Sequence, residues 1–321
     1  MTAAVVDDDT LQWLLEGDPA VRWRAERDLL GRAPRTYNAT RRRIAHEGWG
    51  ARLLAHQDDD GRWAQSWYSP KWTSTFYSVR LLSLLGLPAS NANGILATRL
   101  LLERGVTDGG GVRLWQVDLK DVCVTAMLLS LACHFDVDDD ERTERMLGFL
   151  LSEQMADGGW NCDRHAGATH ASFHSSMATL EALLAFRRRH PSHALVVDAR
   201  AAEERGRAFF LEHQLYRSST TGAVVRPAFS QLSFPPRWHF DVLRGLLYFA
   251  EAGAPVDPRL QDALDVVRRK RRRDGRWTAQ NHHSGREWFR LEPGRFPSRM
   301  NTLRALRVLQ WADDDVDVDP R

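Results

Sequence analysis

Asp121, Cys123 and His174 are the residues of this 321-residue chain whose types and spacing best suit chemistry. Asp121 and Cys123 stand two apart at the start of an apolar segment that runs to His134, and His174 opens a second such segment. Setting Leu128–Leu131 against Thr179–Ala182 brings Cys123 and His174 to equivalent places on successive helices. Neighbouring helix axes lie roughly 8–10 Å apart, so the two side chains are expected to reach one ion. A carboxylate, a thiolate and an imidazole make a three-ligand zinc set that leaves the fourth position open, as catalytic zinc requires. The bland alternative is a small buried cysteine and a hydrogen-bonded core histidine. Cys162, His165, His170 and His174 form a competing local set, but their spacings match no standard zinc finger. His165 and His170 are expected on a turn that faces solvent or substrate.

A second group opens the segment from Arg237. The same alignment makes Asp241 equivalent to Cys123 and His239 to Asp121, so His239 and Asp241 are candidates for acid/base work. A capping pair that holds the preceding turn is the alternative. Arg237, Trp238, Arg244 and Arg299, with Trp72, Thr73, Thr75, Tyr77 and Trp288, are expected to line the mouth and wall of a substrate cavity. Aromatic walls with a few polar groups suit an isoprenoid or other small apolar ligand, and equally a packed core. The acidic runs Asp136–Asp140 and Asp315–Asp319 read as loop and tail.

These residues need elements to place them, and the chain supplies them by repetition. Gln57, Asp60, Gly61 and Trp63 recur with identical spacing as Gln154, Asp157, Gly158 and Trp160; Asp274, Gly275 and Trp277 form a third copy with Arg271 in the Gln position. A unit recurring over this length predicts a repeat fold. Helix signals group into six pairs. The first joins a short helix at Leu11–Gly17 to one opened by Asp18 and Pro19. The others are about 38–56 with 72–87, 93–104 with 119–134, 138–153 with 173–189, 196–213 with 239–251, and 258–272 with 299–311. The second helix of each pair is the more apolar one, which puts it inside a ring of hairpins. The expected fold is all-α, an α/α toroid over residues 1–312, with 313–321 an acidic tail. Short extended pieces are expected near Gly222–Val225 and Glu287–Leu291.

Composition narrows the classes. Hydrophobic residues at 43% and 12 tryptophans suffice for a sizeable core. A net charge of +2 with intermixed signs gives no electrostatic footprint for nucleic acid; the basic run Arg268–Arg273 reads as a helix end complementing its dipole. No stretch reaches the ~18 apolar residues of a membrane span. Three cysteines make no disulfide framework, and the expected compartment is the cytoplasm. Nucleotide-binding Gly-rich loops and the Gly-x-Ser-x-Gly elbow are absent.

The Gln-x-x-Asp-Gly-x-Trp turns resemble those shared by squalene/hopene cyclases and the β-subunits of protein prenyltransferases, over about residues 40–312. The resemblance implies an α/α toroid. Protein prenyltransferase β-subunits carry zinc on an Asp-x-Cys at one inner helix start and a His at the next, a pattern matched by Asp121, Cys123 and His174. It implies a zinc-dependent transferase that activates a thiol for attack on a prenyl diphosphate, working with a helical partner subunit. This chain is shorter than a typical β-subunit, and its diphosphate-binding cluster has no residue-by-residue match. The cyclase branch implies an Asp-x-Asp-Asp acid; the run at Asp136–Asp140 falls between helices, so a cyclase reading needs another acid, such as Asp241. A non-catalytic toroid that holds a lipid or peptide is the third reading.

Overall fold

A computed structural model describes residues 6–115, 121–138 and 141–314. Thirteen α-helices occur among them: α1 Asp8–Leu15, α2 Pro19–Arg24, α3 Pro34–Arg42, α4 Gly48–Leu54, α5 Thr75–Leu85, α6 Ala92–Gly105, α7 Val122–His134, α8 Glu141–Ser152, α9 Phe173–Arg189, α10 Val196–Glu212, α11 Val242–Ala252, α12 Gln261–Arg269 and α13 Arg299–Asp314. No strand forms among the described residues, only isolated bridges. One of these, Arg217 with Val224, falls in the expected extended piece at Gly222–Val225, and none falls in Glu287–Leu291. No helix is long and apolar enough to cross a membrane among the described residues.

The Trp turns explain their own sequence. In each copy the Trp indole donates to the carbonyl ten residues back: Trp63 to Leu53 at 2.9 Å, Trp160 to Leu150 at 2.7 Å and Trp277 to Val267 at 2.8 Å. Each Trp backbone N–H is accepted by a hydroxyl on the following helix, from Thr75, Ser176 and Thr302 at 2.9–3.0 Å. The Gln side chains of 57 and 154 donate to the carbonyls of Gly61 and Gly158, and Arg271 does the same to Gly275 at 3.2 Å. Asp60, Asp157 and Asp274 each accept the N–H two residues on, the local bond that favours Asp in turns. The glycines take φ of +84°, +89° and +77°, where a side chain is strained. Every motif position is used to build the turn.

A fourth copy hides where Trp is missing. Val112 is fully buried, bridges Val106, and donates its N–H to Thr125 Oγ1 at 2.8 Å, with Gly110 at φ +81°. Valine fills the core position of Trp but cannot donate to a carbonyl, so the motif does not show.

The chain forms two compact units: residues 50–210 with 285–289, and residues 1–49, 211–284 and 290–321. In the first, α5, α7 and α9 are the most buried helices, α7 lies against both α5 and α9, and α6 and α8 also pack on α7. In the second, α11 packs on α13 and α12, while α2 packs on α3 and α13. Several helix boundaries differ from expectation for local reasons. The segment 38–56 is two helices, broken at Gly48 with φ +64°. The helix expected from 119 begins at Val122 because Asp121 caps it, accepting the Val124 N–H at 3.1 Å. That expected from 239 begins at Val242, with Asp241 as the cap.

Candidate metal centre

Within the unit of residues 50–210, one group of described residues could hold a metal ion: the ligand atoms of Asp121, Cys123 and Cys162 all lie within 4.8 Å of one another. Asp121 is the N-cap of α7 and Cys123 its second residue; both are buried. Cys162 opens the 3₁₀ turn 162–166 that follows Trp160 and is half-buried. Its Sγ lies 3.1 Å from Asp121 Oδ1 and 3.1 Å from Cys123 Sγ, and it accepts the Cys123 N–H at 3.3 Å. Ser175 Oγ sits against both sulfurs, at 3.2 and 3.3 Å.

His174 stands outside this cluster. The helix caps confirm the register that pairs it with Cys123, since each is the second residue of its helix. Register fixes height along the axis but not direction, and successive helical residues rotate by about 100°. The residue of α9 against Cys123 is therefore Ser175. Asp241 and His239 shift in the opposite sense: the caps align Asp241 with Asp121, not with Cys123. Where other helices carry the hydroxyl that receives the turn N–H, α11 has Gly245. Asp241 takes over, accepting the Ser233 N–H at 3.0 Å, the Ser233 hydroxyl at 2.5 Å and, on its other oxygen, the Arg244 N–H at 2.9 Å.

The donor set fits zinc in kind. Zn–S bonds of about 2.3 Å in a tetrahedron hold two sulfurs roughly 3.7 Å apart, against 3.1 Å here, so seating the ion needs an opening of about 0.6 Å. The electrostatics point the same way. Hydrogen bonding to Cys123, then burial and the charges of Cys123 and Asp121, push the Cys162 thiol well up, so a thiolate at Cys162 calls for a cation beside it. The N-terminus of α7 adds a positive dipole end at Cys123.

An aromatic set adjoins the cluster. The Tyr68 and Tyr77 phenols are hydrogen-bonded at 2.7 Å, and burial raises both so that they stay protonated; Asp121 and Cys123 contribute to each shift. Tyr68 also packs on Trp115 at 4.3 Å, and Trp72 stands edge-on to Tyr77 at 4.7 Å. The Trp115 Nε1 is buried with no hydrogen-bond partner among the described residues. Trp288, in the same unit, donates to Ser78 Oγ at 3.2 Å and stacks on His56 at 4.3 Å. Thr75, expected on the cavity wall, is committed to the Trp63 turn.

The remaining expected site residues belong to the other unit. Trp238, His239 and His283 form a continuous ring stack with spacings of 3.7 and 3.8 Å. Arg244 donates to the Trp238 and His239 carbonyls at 3.1 and 2.8 Å, and Arg237 is buried at φ +56°. Arg299 donates to the Trp13 carbonyl at 3.0 Å. His165 and His170 are exposed. Asp138 is bound by His190 at 2.7 Å; residues 139–140 and Asp315–Asp319 lie outside the described residues. Sequence reasoning missed Tyr68, Trp115 and Ser175 and set Cys162 aside with the turn histidines. The available signal for Cys162 was its place, two residues after a motif Trp at the mouth of an apolar helix.

No family model and no curated protein matches the chain. Among solved structures, a glycosyl hydrolase family 88 protein from Bacteroides vulgatus aligns at TM-score 0.52 and 12% identity, over 96% of this chain and 97% of that one. The fold is all-α, of the α/α toroid class. A protein from Actinoplanes aligns at TM-score 0.46 and 19% identity, over 95% and 97% of the two chains. The type II terpene cyclase MstE from Scytonema aligns at 0.36 and 18%, over 86% and 98%. At these identities the likeness is one of fold, and activity has to be argued from the site.

Proposed function

We propose that this protein is a zinc-dependent enzyme acting on an isoprenoid or comparable apolar substrate, with the metal held by Asp121, Cys123 and Cys162. The observation that carries the reading is the convergence of one carboxylate and two thiols within 4.8 Å at the start of an apolar helix. Zinc bound there would supply Lewis acidity and make a coordinated thiol a nucleophile at neutral pH. The chain's own groups do the rest. Val124 N–H fixes the Asp121 carboxylate, Cys123 N–H donates to the Cys162 sulfur, and Ser175 Oγ orients both sulfurs. Tyr77 donates to the Tyr68 hydroxyl and both phenols stay protonated as neutral hydrogen-bonding groups, and the rings of Tyr68, Trp72, Tyr77 and Trp115 exclude water and receive an apolar chain. Alkylation of a thiol by a prenyl diphosphate is the transfer this reading favours. Reduced thiols require a reducing compartment, and we assign the cytoplasm.

A second reading, isoprenoid cyclisation, is favoured by the same aromatic faces, because a ring face stabilises a developing carbocation by about 0.5–2 kcal/mol. Asp121 would then be the acid, since three donors already engage Asp241.

Metal content by inductively coupled plasma mass spectrometry, beside incubation with a prenyl diphosphate plus thiol and with a linear polyene, separates the readings. The zinc enzyme is expected to hold about one ion per chain, to lose it in Cys123→Ser, and to consume the diphosphate only when loaded. Metal-free turnover of the polyene that stops in Asp121→Asn would replace it with the cyclase. A folded protein that binds no zinc and turns over neither substrate would sink both.

A further inference from the structure

A pocket of about 260 Å³ lies wholly within the unit that contains α1 and α13, and the zinc proposal makes no use of it. Trp13, Trp49 and Phe296 wall it, with Arg276, Arg299 and Glu292 as its charged groups. Two cations lie over the Trp13 ring: the Arg276 guanidinium is 4.3 Å and the Arg299 guanidinium 4.6 Å from its centroid. Neither arginine makes an ion pair among the described residues, and the buried Arg276 Nε has no hydrogen-bond partner among them. Arg299 uses its Nε on the Trp13 carbonyl. Its path is built in, because a Cβ on Gly17 would come within 2.6 Å of Arg299 Cδ.

Glu292 interacts electrostatically with Arg299 but offsets only one of the two cations. Its oxygens accept the Ser298 hydroxyl and the Arg299 and Met300 N–H groups, so it is spent on the first turn of α13. Two cations face one committed carboxyl, which leaves the pocket net positive. Phe296 is 62% exposed, a large ring left at the surface of the pocket. Cations gathered around aromatic faces, with donors left over, suit an anion that carries a ring of its own. The volume lies just below the usual range for drug-sized ligands, which limits the occupant to about one ring.

We infer that this pocket binds a small aromatic carboxylate, its ring packed against Trp13, Trp49 and Phe296 and its carboxylate on Arg276 and Arg299. Such a group can come from a free aryl acid or from the C-terminus of a peptide ending in an aromatic residue; the probes tell these apart.

Isothermal titration calorimetry on the full chain with benzoate, N-acetylphenylalanine and the neutral isostere benzamide tests it. Saturable binding of benzoate with Kd on the order of 1 mM is expected, from a ligand of this size. Benzamide should bind at least about tenfold more weakly, and Arg276→Gln, a change at a half-exposed side chain, should weaken benzoate by about tenfold with an unaltered melting curve. Tighter binding of N-acetylphenylalanine than of benzoate also supports the site and names the peptide terminus as its source. Equal affinity for benzoate and benzamide, an Arg276→Gln protein that binds as wild type does, or no heat from either acid at about 10 mM would each overturn it.

Discussion

Two side chains that share a helical register need not share a site. His174 and Cys123 are both second residues of apolar helices, yet Cys123 meets Ser175, and Cys162 arrives from the turn after Trp160. This separates the metal set proposed from register from the one proposed from geometry. Cys162→Ser is expected to abolish stoichiometric zinc, and His174→Ala to retain it; zinc lost from His174→Ala alone would restore the histidine as ligand. His283 gives a second residue-level expectation. Burial pushes its imidazole down to about 4 from an ordinary 6.5, with the Arg237 and Arg244 cations adding to the effect. The folded pKa lies below the unfolded one, so between these values the unfolded chain binds the extra proton and stability falls as pH drops. The full shift corresponds to about 3.4 kcal/mol, and partial exposure reduces this to about 1–2 kcal/mol. Urea denaturation at pH 7 and pH 4.5 should show that loss in wild type, and His283→Phe should remove that share of it.

At the scale of elements, the Trp turn is a unit whose parts can be tested against each other. Gly158 combines φ +89° with a site where a Cβ would lie 2.5 Å from the Arg205 carbonyl oxygen, whereas Gly167, at φ +92°, has nothing within 4 Å. Gly167→Ala should cost about 1 kcal/mol, the strain of a left-handed alanine alone. Gly158→Ala should cost about 3 kcal/mol or more, because backbone of α10 must move. Equal losses in chemical denaturation would show that the close approach is relaxed in solution. The same turn explains what was legible in the sequence. Its Gln, Asp, Gly and Trp satisfy one another locally, so their spacing survives as a readable pattern and fixes the repeat fold. The copy at Val112 keeps the bridge and the hydroxyl contact but loses the indole, so it stays silent. Asp121 and Cys123 could be singled out because they lie near one another in the sequence at a helix start. Tyr68, Trp115 and Ser175 could not, because the direction in which each points depends on loop paths and helix rotation that no repeat spacing encodes.

For the whole molecule, the polar chemistry divides between the two units. Residues 50–210 with 285–289 hold Asp121, Cys123, Cys162 and their aromatic neighbours; the other unit holds the His239–His283 stack and the Trp13 pocket. A ligand that binds one folded site stabilises the protein against every opening that breaks that site, and against no other. Zinc at about a hundred times its Kd contributes roughly 2.7 kcal/mol against such openings. The donors come from the start of α7 and from the turn between Trp160 and α9, so parting those two segments is what the metal resists. Hydrogen exchange followed by mass spectrometry, with and without zinc, should therefore slow in peptides from residues 121–134 and 160–176. Peptides from α11 and α13 should keep their rates where local opening governs them. A uniform slowing across both units would show that exchange proceeds through global unfolding. No change at 121–134 on adding zinc would mean that the carboxylate and the two thiols do not close on the ion.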